Sequence, residues 1–186
     1  MGTTTQRYEE KHIWRKKMNK CRRINLITPP HNIILERAFP PEKFKSLDAK
    51  INVDIVYTQC EKGFGNISFN VKYEGFKERY PDENGVDLGF SIPENCMVYI
   101  RFADKEIWQW STEYYAITTK KNLNKKFRKY NLDERTETVS FQAKRDDGLP
   151  KKDYFTINVE ILQANMPEKW LPVSIDPWVL NPRPAD

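Results

Sequence analysis

The stretch Phe155-Thr156-Ile157-Asn158-Val159-Glu160-Ile161 alternates apolar and polar side chains without a break. A two-residue period puts Phe155, Ile157, Val159 and Ile161 on one face and Thr156, Asn158 and Glu160 on the other, the pattern of a strand with one buried face. The same period recurs upstream. Ile51, Val53, Ile55 and Tyr57 oppose Asn52, Asp54 and Thr58, while Ile67, Phe69, Val71 and Tyr73 oppose Asn66, Ser68, Asn70 and Lys72. The intervening CEKGFG (60–65) reads as a hairpin loop. Further strands are predicted at Val98–Phe102, along the aromatic stretch from Ile107 to Ile117, at Val139–Ala143, and through Val173 and Ile175. Turn signals punctuate them at PDENG (81–85), IPEN (92–95) and DDGLP (146–150). About seven short strands with such punctuation predict an all-β chain folded as a single antiparallel β-sandwich of the Ig-like, Greek-key kind. Its wet outer faces account for a hydrophobic fraction of only 39%.

Two regions depart from this period. Residues 24–47 hold four of the twelve prolines, as Pro29-Pro30 and Pro40-Pro41, around the apolar run Ile33, Ile34, Leu35. They predict an extended segment with an edge strand and then a short helix opening at Pro41, where the missing N–H is not needed. In KKNLNKKFRKY (120–130), Leu123, Phe127 and Tyr130 stand at helical spacing among six bases, predicting a short amphipathic helix across one end of the sandwich. The expected organisation is a basic arm (1–23), a Pro-rich extended segment (24–47) and a sandwich with a Pro-rich tail (48–186).

Charge is distributed unevenly. From Arg7 to Arg23 eight Lys or Arg face two Glu, a balance of +6, whereas the whole chain carries +5. Blocks of like charge often serve as interaction tails. A chain begun at Met18 would lose five bases and two acids and carry +2, so the arm depends on which methionine is the natural start. Cys21, Cys60 and Cys96 are odd in number and widely spaced, predicting reduced thiols rather than a disulfide or zinc framework. The chain has no apolar run of bilayer length and its N-terminus lacks a signal-peptide core, so a cytoplasmic location with no membrane association is expected.

Several clusters carry two readings. In the arm, Arg15, Lys16, Lys17, Arg22 and Arg23 interleave with Tyr8 and Trp14, suiting phosphate and base contacts, yet Trp14, Met18 and Cys21 also form the stripe of a helix docked on protein. Lys120, Lys121, Lys125, Lys126, Arg128 and Lys129 form a second cluster without an acid, either a solvated face or an anionic-ligand patch. Trp108 and Trp110 share a face: exposed, they are a stacking platform for sugar rings or bases, and buried, they are core. PDENGVD offers Asp82, Glu83, Asn84 and Asp87 as hard oxygen donors, but Val86 and Gly85 break the calcium-loop pattern, leaving an acidic turn. Only His12 and His31 exist as imidazoles, which leaves nucleophilic catalysis little support. Neither metal nor cofactor is expected.

The ending PVSIDPWVLNPRPAD (172–186) resembles the close of the small bacterial DP-EP family and is loosely similar to that of PixA-like inclusion-body proteins. The resemblance implies a cytoplasmic, self-associating β-sandwich without established catalytic residues. In local terms, Asp176-Pro177 forces extended backbone, and the later prolines stop the edge from pairing further. The resulting expectation is a non-enzymatic binding or assembly module, a homo-oligomer or one docked on a protein partner through its arm and residues 24–40. A basic nucleic-acid-binding sandwich, using the two basic clusters, is the alternative.

Overall fold

Every buried strand must satisfy its backbone groups on both edges, and the chain does this with two sheets built around one core. The computed structural model describes residues 32–34, 36–40, 44, 48–59, 65–86, 88–119, 126–145, 151–163 and 166–181. One sheet has six strands in the order β4 (Glu83–Val86), β3 (Gly65–Glu74), β2 (Lys50–Gln59), β6 (Cys96–Phe102), β10 (Thr138–Ala143) and β9 (Phe127–Asp133). Strand β2 runs antiparallel to β3 from Lys50↔Glu74 to Gln59↔Gly65, as the hairpin reading requires. On its other edge β2 is parallel to β6, with Lys50↔Met97 and Ile55↔Phe102.

The other sheet is organised on β11 (Lys151–Gln163). One edge of β11 carries β8 (Ile117–Thr119) and β7 (Trp108–Trp110), and the other carries β13 (Trp178–Asn181) and β12 (Met166–Ile175). Strand β1 (Asn32–Ile33) lies outside β8, and β5 (Gly89–Ser91) lies parallel to β13. Inward faces of both sheets fill the core, including Ile51, Val53, Ile55, Ile100, Phe141, Phe155, Ile157 and Val159. Rings join the sheets directly: Phe102 stacks on Trp108 at 5.7 Å, and Phe127 meets Phe155 edge-on at 6.5 Å. Each such side chain contributes about 1.5–3 kcal/mol on burial.

The all-β expectation holds, and the finer expectations are corrected at five places. Neither sheet is purely antiparallel, because β2·β6 and β5·β13 are parallel pairs. The aromatic stretch is not one strand: β7 and β8 share an edge of β11, and residues 111–116 leave it between them. No helix occurs among the described residues, and Phe127–Tyr130, the end of the 120–130 segment read as a helix from its spacing, lies in strand β9. Its neighbour β10 supplies a ladder that outweighs a weak helical pattern. The predicted helix start at Pro41 lies outside the described residues, as do the arm and Lys120, Lys121 and Lys125. The Pro-rich segment does provide an edge strand, but it pairs with β8 of its own chain. Beyond it, Phe39 N–H donates to Gln142 at 2.8 Å and Phe39 stacks on Phe44 at 5.0 Å. Finally, the strand through Val173 and Ile175 is not the last: after Asp176-Pro177 the chain pairs again as β13, between β11 and β5, ending at Asn181. No helix among the described residues is long and apolar enough to cross a membrane.

The outward face of β11 is also buried, although it is polar. Thr156, Asn158 and Glu160 are each under 8% exposed. Asn158 is the anchor. Its N–H donates to Ala116 O and its C=O accepts from Ser111 N–H, so one residue closes both ends of the 111–116 excursion. Its side chain donates to Tyr115 O and Thr118 Oγ1 and accepts from Ser174 Oγ. Glu160 accepts from Thr112 N–H, Thr112 Oγ1 and Gln109 Nε2. At the end of the strand Asp153 forms a buried ion pair with Lys126, tying the two sheets together.

Truncating Asn158 removes three hydrogen bonds, one of them the buried bond to Thr118 Oγ1. Asn158→Ala should therefore lower the unfolding free energy by about 2–3 kcal/mol in denaturant titration. Two tyrosines give a pH signature. Burial pushes the Tyr73 and Tyr130 hydroxyls up to about 12 from the ordinary 10.0. Between these values the unfolded chain releases protons that the folded chain keeps, so stability should fall as pH rises from 10 to 12. Absorbance at the phenolate band should show these two of the nine tyrosines ionising late in the native protein and with the others after denaturation.

Candidate functional site

The wet face of the six-stranded sheet carries its polar side chains in a grid set by register. Asn52 stands between Lys72 of β3 and Tyr99 of β6, and Lys50 stands opposite Glu74, one step along the pleat. Arg101 follows Tyr99 on the same face. These six residues line a shallow depression of about 410 Å³. Three cations thus surround one carboxylate.

What distinguishes this face is how much of its bonding capacity is unused. Among the described residues Lys50 and Lys72 form no ion pair, and the Tyr99 hydroxyl makes no hydrogen bond. Glu74 accepts from Asn52 Nδ2 at 3.0 Å through Oε1, which leaves Oε2 open. Only Arg101 is committed, to Asp54 at 2.5 and 3.5 Å. That bond raises the guanidinium further above its ordinary value and fixes its plane. The buried polar row on β11 is the opposite case. Its groups are bonded to flanking segments, Thr156 to Asp176, Asn158 to Tyr115, Thr118 and Ser174, and Glu160 to Gln109 and Thr112, so it holds the fold and offers a ligand nothing.

The residues singled out from the sequence are dispersed. Lys126 is bound to Asp153, Arg128 lies over the Phe39 ring at 5.0 Å, and Lys129 is exposed. A β-bulge explains the divergence: the β9–β10 register shifts at Ser140/Gln142, and Lys129 adopts a φ of 56°. Lys126 and Arg128 are thus engaged within the fold, while Lys129 is exposed. Trp108 and Trp110 are core, 1% and 7% exposed, so they offer no stacking platform. Trp110 Nε1 donates to Glu137 O at 2.8 Å across the sheets. In the acidic turn Asp82 accepts from Tyr73 N–H, and Asn70, from β3, accepts from Gly85 N–H. No group of three His, Cys, Asp or Glu is placed to hold a metal among the described residues. Cys96 is a buried free thiol whose burial pushes its ionisation up.

Sequence reasoning placed Asn52 and Lys72 on polar strand faces but did not bring them to Tyr99 and Arg101. The parallel pairing of β2 with β6 does that, and it joins residues about fifty positions apart.

Residues 35–184 match a protein family described as a predicted novel nucleotide synthetase. No curated protein matches the chain. A synthetase family overturns the expectation of a non-enzymatic binding or assembly module. The match spans both sheets and most of the chain, and the protein belongs to the family of predicted novel nucleotide synthetases.

Proposed function

We propose that the chain is an enzyme of nucleotide synthesis that binds its nucleotide on the outer face of the six-stranded sheet, in the depression between β2, β3 and β6. The observation that carries this reading is the convergence there of groups uncommitted among the described residues: two unpaired lysines, an open carboxylate oxygen and a free phenol. Nucleotides present complementary chemistry. Phosphate oxygens are strong acceptors for Lys50 and Lys72, and charge-assisted bonds of this kind are roughly twice as strong as neutral ones. Tyr99 offers a ring to the base, since stacking on an aromatic side chain tolerates any base. Arg101, held by Asp54, presents its remaining N–H donors at the rim without having to be ordered on binding.

The family's description supports the ligand class, and the charge pattern supports the place. Rigidity supports it too. All six lining residues stand on strands of one sheet, where backbone register rather than loop conformation sets their spacing.

Calorimetric titration with the four ribonucleoside triphosphates tests the assignment. The native chain should bind at least one of them, and Lys50→Ala with Lys72→Ala should weaken that binding at least tenfold, with thermal stability unchanged because both side chains are exposed. Mass spectrometry of the incubated mixture should reveal a nucleotide product. Binding that survives the double substitution at full strength would remove the site from this face.

A further inference from the structure

We propose that Glu74 makes the depression selective for ribonucleotides over 2′-deoxyribonucleotides by accepting a hydrogen bond from the sugar. The inference rests on the nucleotide site proposed above and concerns what that site discriminates.

The donor and acceptor inventory leads to it. Lys50, Lys72 and Arg101 are donors only, and Tyr99 can donate. Glu74 is the one charged acceptor lining the depression. Its Oε1 is engaged by Asn52 Nδ2, which holds the carboxylate in place and directs the remaining capacity of Oε2 outward. Such an oxygen needs a ligand donor, and a phosphate chain has none.

Register decides which part of a nucleotide can supply that donor. Glu74 is directly opposite Lys50 and two residues along β3 from Lys72, so all three side chains rise from one corner of the grid. Tyr99 stands two strands away from Lys72 in the same row. A phosphate on Lys72 and a base on Tyr99, at the two ends of one row, leave the sugar over Asn52, the residue whose side chain holds the Glu74 carboxylate at 3.0 Å. The base edge extends away past Tyr99. A carboxylate beside bound phosphates is repelled by them unless it gains a compensating donor, and a ribose hydroxyl provides one. Carboxylates serve the same purpose on the ribose of other nucleotide folds.

Glu74 is exposed, so water competes for its oxygen and the discrimination is modest. Fluorescence or calorimetric titration with ATP and dATP, and with GTP and dGTP, should give about tenfold tighter binding of each ribonucleotide. Glu74→Ala should bring each pair within twofold of one another while retaining triphosphate binding, because the lysines are untouched and no acceptor is left at this position. Asn52→Ala should reduce the preference partly, as expected of a residue that positions Glu74. Thermal melting checks that both variants are folded. Equal affinity of ribo- and deoxyribonucleotides for the native chain would overturn the role of Glu74 and leave the site standing. A preference that persists in Glu74→Ala would overturn it equally. Absence of any triphosphate binding would overturn the site itself.

Discussion

Strand β11 must find hydrogen-bond partners over thirteen residues on both edges, and the architecture of its sheet follows from how it does so. No single neighbour matches its length. Short strands therefore take turns: β8 and β7 along one edge, β13 and β12 along the other. Each handover leaves a gap in the ladder. Asn158 bridges one with both backbone groups, and Phe155 N–H bridges the other by donating to Pro177 O at 3.2 Å. A buried strand with such interruptions survives only because side chains complete what the ladder omits. That is why its outward face is polar and yet bonded throughout.

The two outer faces of the molecule illustrate opposite uses of polarity. On β11 the polar groups are buried and consumed by the fold. On β2, β3 and β6 they are exposed, and Lys50, Lys72, Tyr99 and Glu74 retain capacity that no neighbour takes up. Binding energy comes from groups of the second kind, because a ligand that must displace an internal hydrogen bond gains only the difference. Core and site are nonetheless linked. Ile51, Val53, Val71, Val98 and Ile100 anchor the inward faces of the strands whose outward residues form the depression, and the two-residue period converts packing on one side into spacing on the other.

Strand alternation made most of the β architecture legible in advance. Ile51–Tyr57, Ile67–Tyr73, Val98–Phe102, Val139–Ala143 and Phe155–Ile161 all lie in strands, since a buried face and a wet face leave a period that local sequence records. Where tertiary pairing supplied the deciding energy, local signals pointed elsewhere. KKNLNKKFRKY reads as a helix, but its last residues enter β9. Lys126 is taken up by Asp153 and Arg128 lies over Phe39, so of the described bases in this run only Lys129 is exposed. Trp108 and Trp110 carried two readings because an aromatic pair on one strand face looks the same whether a second sheet covers it or not. Phe102 covers both.

By itself the sequence determined the class of secondary structure, the inward residues of five strands, and the polarity of their outer faces, because these depend on a period of two that any short window contains. Beyond the β2–β3 hairpin, the tertiary structure alone decided which strands are neighbours. Parallel pairing of β2 with β6 and the return of the tail as β13 beside β5 depend on long crossovers that leave no local trace. The candidate site depends on that decision. Lys72, Asn52 and Tyr99 form a row only after three distant segments are placed in register.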